Sequence, residues 1–317
     1  MFIDNNWWGH KYVLAQYCGV EEKNIFGSMQ HGVYAMEEER IWNLKKNRSH
    51  DFIPYFCYSD FFYKKCLTEK INNIFPIGSP FIYLDKIMPK IKKKKGTIVF
   101  PSHSNFRIKK KSFSYAYLKY PVSFDHEGFI NNVEKYNKPP YTVSIIQDDY
   151  QDLHKFYKRK NWKIFSAGNR YSKFFLINIY KEIAKNTHAV FSDFSSALYY
   201  SMFLGLNVRL AVKSLYSTKI NLFNYNAQKL DFMLFRAYKK KYPEIFFGKL
   251  DIDLSKSIAK ARMGYSFLKN KNELRNILGW NSSIKIFLSN LIYILYNLKY
   301  KYWLNQYNQK NYFNKKS

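Results

Sequence analysis

Cysteine is scarce: Cys18, Cys57 and Cys66 are the only three in 317 residues. No two form a CxxC pair or stand at metal-ligand spacing, so neither a disulfide framework nor a cysteine metal site is expected. An odd count without a secretory signal predicts reduced, cytosolic thiols. Long hydrophobic runs are missing as well. No window approaches the ~18 apolar residues that a spanning helix requires. The start, Met1 to Trp8, has no basic stretch leading into an apolar one, so no export signal is expected. Acidic residues are few, 23 Asp and Glu against 52 Lys and Arg, for a formal charge of +29. That excess predicts a partner of opposite sign, whether nucleic acid, anionic lipid or a polyanionic substrate. Zinc-finger, RNP and helix-turn-helix signatures are absent, so nucleic acid is not expected. The lysines are scattered, and part of the charge follows the same compositional bias that makes Asn, Ile, Tyr and Phe abundant.

What the chain does carry is concentrated between Thr187 and Val212. His188 to Phe191 reads as a buried strand. Ser192-Asp193-Phe194-Ser195-Ser196 follows as a polar turn, then a short helix to Leu204, a stop at Gly205 and a strand from Asn207 to Val212. The paired serines stand where the helix begins, at its free N–H groups and the positive end of its dipole, a ready anion site. Ser195 as a plain helix cap is the structural alternative.

Upstream of this segment the pattern alternates. Strands are expected at Thr97–Phe100, Tyr141–Gln147 and Trp162–Ala167, with helices near Asp149–Lys160 and Tyr171–Asn186. Strands separated by helices predict an α/β fold with a parallel, doubly wound sheet. Before the basic run Lys90 to Lys95, read as a solvated linker, Asn24–Met29, Tyr55–Tyr58 and Asn73–Ile77 look like strands and Asp60–Lys70 like a helix. The expected organisation is an abbreviated N-terminal α/β domain at 1–90, a Rossmann-like domain at 96–280 and a basic helical tail at 281–317.

Three polar turns at strand ends are further candidates. His31, in Met29-Gln30-His31-Gly32-Val33, is either a hydrogen-bonded structural residue, the reading this segment alone favours, or a general base, since an unperturbed imidazole titrates near neutrality. Ser102, His103 and Ser104 close the first strand of the later sheet and suit a phosphate or oxyanion, or equally a plain Ser/Pro turn. Asp148 and Asp149 follow its second strand, where a carboxylate can orient sugar hydroxyls or start a helix. Asn169, just past the third, joins the donor-binding set. No metal is required by these residues.

In order along the chain these motifs resemble the CDP-glycerol glycerophosphotransferases of teichoic-acid synthesis. His31-Gly32 resembles their His-Gly-Thr, with Val33 in place of Thr. Cys57-Tyr58-Ser59-Asp60-Phe61-Phe62 and Ile77-Gly78-Ser79-Pro80 resemble their serine segment and Gly-x-Pro turn. Ser192 to Ser196 resembles their Thr-Asp-Tyr-Ser-Ser, followed by Phe203-Leu204-Gly205-Leu206-Asn207-Val208 for Leu-Gly-Lys-Pro-Val. The chain is also similar to GT-B sialyl- and Kdo-transferases, which hold CMP with a Ser-Ser or Ser-Thr pair and a His near a Pro. The resemblance spans roughly residues 24 to 212. It implies a GT-B-like fold of two Rossmann-like domains with Ser102, His103, Ser104, Asn169, Ser195 and Ser196 on the donor, His31 as base and Asp149 in the catalytic set. The donor is a nucleotide-activated sugar or alditol phosphate, CMP- or CDP-linked by preference, with no separate cofactor. The acceptor is a glycan or glycolipid of the bacterial surface, such as capsule, lipooligosaccharide or teichoic acid. The other reading is a truncated, non-catalytic module that binds an anionic glycan or lipid.

Ile284, Phe287, Leu288, Leu291, Ile292, Leu295 and Leu298 recur at helical spacing beside Lys285, Lys299 and Lys301. One helix from about Ile284 to Trp303 is expected. Its apolar stripe would meet either an anionic membrane surface or the protein's own core, and a cytoplasmic protein peripheral to the inner membrane face would use the first.

Overall fold

In a computed structural model the structure describes residues 5, 7–30, 32–33, 53–92, 95–101, 126–145, 154, 156–158, 160–192, 194–211, 236–295 and 298. Two parallel sheets organise them. The first has three strands in the order β1 (Ser28–Met29), β2 (Tyr55–Cys57) and β3 (Ile74–Pro76). The second has five: β4 (Thr97–Phe100), β5 (Tyr141–Ser144), β6 (Lys163–Phe165), β7 (His188–Phe191) and β8 (Asn207–Leu210), arranged β6-β5-β4-β7-β8. Every pairing in it is parallel, with Thr97 opposite both Tyr141 and His188.

Eight labelled helices surround the sheets. They are α1 (His10–Cys18), α2 (Asp60–Thr68), α3 (Pro80–Ile87), α4 (His126–Tyr136), α5 (Phe175–Ala184), α6 (Ser196–Phe203), α7 (Ile252–Met263) and α8 (Lys271–Ile277). Ser59 caps α2 by accepting the Phe62 N–H at 3.1 Å, and Ser79 precedes Pro80 at the first position of α3, where a missing N–H costs nothing. Asp251 accepts two N–H groups at the start of α7.

Alternation along the strands explains why the larger sheet is covered on both faces. Val99, Val143 and Val190 point into a cluster with Phe129, Ile130 and Val133 of α4. Ile98, Ala189 and Val208 point the other way, under α5 and α6. That second face does not end at the sheet. Its cluster continues through Phe81 of α3 to Phe56, Tyr58 and Val13 of the first half. Phe81 stacks face to face on Tyr200 of α6, ring centroids 4.0 Å apart and planes 1° from parallel. The far side of β2, Tyr55 and Cys57, packs separately with Phe62 and Cys66 of α2. No disulfide joins Cys18, Cys57 and Cys66, and all three are buried.

Several expected elements shift. The strand expected at Asn24–Met29 is only Ser28–Met29, because the chain before it is engaged elsewhere. The Phe26 N–H donates to the Leu278 carbonyl, and Asn24 meets Lys11, Trp280, Ser289 and Asn290. The helix expected from Tyr171 starts at Phe175, since the Asn169 carboxamide accepts the Tyr171 N–H at 2.9 Å and closes a turn first. Helices α1, α3, α4, α7 and α8 are not expected from the pattern. Residues 283–295 and 298 are helical, within the stretch expected for the tail.

Candidate functional site

In the five-stranded sheet the strands appear in the spatial order third, second, first, fourth, fifth. Successive crossovers run outward one way from β4 and the other way from β7. The carboxyl ends of β4 and β7 therefore border the crevice in which α/β sheets of this order bind ligands. The two ends are held together up to its lip. The Ser192 N–H and hydroxyl both donate to the Phe100 carbonyl, at 3.1 and 3.4 Å. The rings of Phe100 and Phe191 stack with centroids 4.7 Å apart.

Helix α6 opens just past this point. Ser195 occupies its N-cap position in an extended conformation, yet its hydroxyl makes no cap hydrogen bond. The Oγ is screened from solvent and has no hydrogen-bond partner among the described residues. An unpaired shielded hydroxyl costs about 1–3 kcal/mol, so capping does not account for this serine. Ser196, one residue on, is engaged: its Oγ accepts the backbone N–H of Val33 at 3.0 Å.

That bond crosses the molecule. Val33 lies past the carboxyl end of β1, so Ser196 joins the ligand-facing edges of both sheets. Gly32 permits the approach, since a Cβ there would stand 2.9 Å from Ser196 Oγ. Gln30 braces the same turn from below. It is buried, its Nε2 donates to the Gly32 carbonyl at 2.7 Å, and its Oε1 accepts the Tyr58 N–H at 3.0 Å. The Tyr58 hydroxyl donates to the Gln30 carbonyl and lies 3.3 Å from His10 Nδ1. The residues on both sides of position 31 are thus fixed by hydrogen bonds.

Tyr200 completes the junction one helical turn after Ser196. Burial pushes its phenol up to about 12, although hydrogen bonds with the Ser79 and Ser196 hydroxyls favour ionisation. It is a neutral, buried hydroxyl linking the start of α3 to the start of α6.

Of the sequence candidates, Ser195 and Ser196 are at the crevice as described. Asn169 is exposed on the β6–α5 loop, its side chain closing the turn on Tyr171. His31, Ser102, His103, Ser104, Asp148 and Asp149 lie outside the described residues. Gln30 and Ser79 stand inside motifs legible in the sequence but carry no role in that reading, and Tyr200 lies in the helix that follows the serine pair. Among the described residues no group of three His, Cys, Asp or Glu side chains is placed to hold a metal ion.

No family model and no curated protein matches the chain. Among solved structures it is similar to the UDP-GlcNAc 2-epimerase of Methanocaldococcus jannaschii, in complex with UDP-GlcNAc and UDP. The identity is 13%, the TM-score 0.33, and the match covers 65% of this chain and 60% of that one.

Proposed function

We propose that the chain is a nucleotide-sugar-dependent glycosyltransferase of the GT-B type, acting on a glycan or glycolipid of the bacterial surface. The observation that carries this reading is the bond between the Val33 N–H and Ser196 Oγ. It sets the carboxyl edges of two parallel sheets against each other at the crossover of the larger one, the arrangement a donor and an acceptor need to meet.

In this reading the donor phosphate lies at the start of α6, where the Ser195 hydroxyl and the free N–H groups of the first turn face it. Ser102, His103 and Ser104, which follow β4 in the sequence, are assigned to the same phosphate. As the bond from the sugar to the nucleotide phosphate breaks, negative charge gathers on the phosphate and the helix start stabilises it. The acceptor hydroxyl attacks the sugar carbon, and His31 takes its proton. Gln30 and Ser196 fix the backbone on either side of position 31, while Asp149 and Asn169 are assigned to sugar hydroxyls. The first sheet, with residues 1–90, serves the acceptor; residues 96–280 serve the donor. The enzyme works on the cytoplasmic side of the membrane, and CMP- or CDP-linked donors are preferred.

A thermal-shift series with CMP, CDP, UDP and GDP tests this. A ligand that binds only the native state raises the melting temperature with the logarithm of its concentration. Stabilisation by CMP or CDP supports the reading. Stabilisation by none of the four leaves the non-catalytic module that binds an anionic glycan or lipid.

A further inference from the structure

The helix at 283–295 rests on the protein through buried Ser289, with Ile286, Ile292 and Tyr293 half-buried beside it. Ser289 is buried, and its hydroxyl approaches the Asn24 carbonyl at 3.3 Å, while Asn290 accepts a hydrogen bond from the Asn24 carboxamide at 2.9 Å. An apolar face points out. Ile284, Phe287, Leu288, Leu291, Leu295 and Leu298 follow one face at three- and four-residue spacing, each 37 to 73% exposed. An ordinary surface helix turns its apolar stripe to the core and polar residues to solvent; this one leaves a wide apolar face in solvent. The expected stripe is also corrected in detail: Ile294 is 54% exposed, while Ile292 is partly buried. Of the two outcomes open from the sequence, packing on the protein's own core is therefore not what the described residues do.

From this outward face we infer a docking surface for the headgroup region of an anionic lipid bilayer. Charge selects that occupant over a second copy of the chain. No Asp or Glu follows Glu273, whereas seven Lys or Arg do. Pairing two such helices would bring like charges together with no carboxylate between them, in molecules that each carry +29. A bilayer containing anionic lipid buries the apolar stripe and neutralises the lysines at once. No described helix is long and apolar enough to cross a membrane, so the contact is with one leaflet. The surface would bind whether or not the chain transfers a sugar.

Flotation of the full chain with vesicles of phosphatidylglycerol and phosphatidylcholine, and with phosphatidylcholine alone, is the test. The double substitution Phe287→Ser, Leu291→Ser keeps every charge and removes two apolar anchors. We expect the wild type to float with the anionic vesicles at low salt, and the variant's partition coefficient to fall about tenfold or more. Circular dichroism of the variant reports whether the protein stays folded, and Leu288→Ser, one position along the same face, repeats the test if it does not. Equal binding by wild type and variant would mean adsorption by the basic surface at large and overturn the proposal. Failure to float, with a dimer in sedimentation that Phe287→Ser, Leu291→Ser dissolves, would give the face to a second copy instead.

Discussion

Ser195 and Ser196 are chemically identical neighbours with opposite situations, and they should respond to alanine in opposite ways. Removing the Ser196 hydroxyl leaves the Val33 N–H without its acceptor, so Ser196→Ala should lose about 1–3 kcal/mol of stability in urea unfolding. Removing the unpartnered Ser195 hydroxyl relieves its desolvation cost, and Ser195→Ala should keep or raise stability, by up to about 1–3 kcal/mol. Nucleotide binding should weaken in both; calorimetry on the double variant should show about 1–3 kcal/mol lost, the scale of hydrogen bonds to a charged group. If Ser195→Ala destabilises the fold as much as Ser196→Ala, its hydroxyl has a protein partner and the anion site loses its main donor. Gly32→Ala supplies a second probe of the same junction. Its methyl would press on Ser196 Oγ, forcing the hydroxyl to rotate away from Val33 at a cost of about 1–2 kcal/mol. In the background of Ser196→Ala that cost should largely vanish, a coupling that a double-mutant cycle reads directly. Additive losses would show that Gly32 matters for some other reason.

Elements meet where glycines allow backbone to touch backbone. Helix α7 ends on Gly264 at φ +69°, and a Cβ there would lie 1.7 Å from the Tyr58 carbonyl oxygen. Beside it the Ser79 N–H donates to the Met263 carbonyl at 2.8 Å, so the end of α7 also fixes the start of α3. Gly19, after α1, has a similar φ of +65° but its Cβ would find its nearest neighbour 4.0 Å away. Gly19→Ala should therefore cost only the left-handed strain of about 1–2 kcal/mol, and Gly264→Ala clearly more, by midpoint shift in urea. Equal losses would mean that α7 yields without penalty. Such contacts also mark what the sequence could reveal. Thr97–Phe100 and His188–Phe191 are legible to the residue, because short apolar runs bounded by Gly, Pro or polar turns have few other uses. Helix α1 escaped because His10, Lys11, Val13, Leu14, Ala15 and Cys18 are all buried, which leaves no polar face to set a period. In α4, Gly128, Asn131 and Asn132 blur the pattern. At the site the serine pair and the His-Gly turn were legible as motifs. Their meeting was not, since it depends on how α3 packs against α6 and not on any local spacing.

For the molecule as a whole, acid should weaken the fold in two steps of the same sign. Burial holds His188 below its ordinary value of 6.5. The unfolded chain then protonates first as pH falls through about 6.5, and stability drops until the native imidazole follows. Burial opposes ionisation of Glu182, but hydrogen bonds and ion pairs with Lys163 and Lys185 outweigh it and hold the carboxyl below its ordinary 4.5. Its contribution is present above that pH and is lost below it. Urea unfolding from about pH 8 down to about pH 3 should show both steps, and His188→Gln should flatten the upper one; an unchanged slope near neutrality would assign it to another histidine. The placing of α7 and α8 against the first sheet bears on how the chain is made. The Tyr17 hydroxyl finds its acceptor at the Lys269 carbonyl, 252 positions later. Arg275 reaches back to the Cys18 carbonyl, and the Lys269 N–H donates to the Tyr83 hydroxyl at 3.1 Å. During synthesis the first sheet emerges early, but these partners are among the last described residues to leave the ribosome. Its apolar surface must then wait, exposed to chaperones or to other nascent chains, while the second sheet is still being made. A ribosome stalled just before residue 250 should therefore carry a protease-sensitive first half, and one stalled well past residue 280 a resistant one.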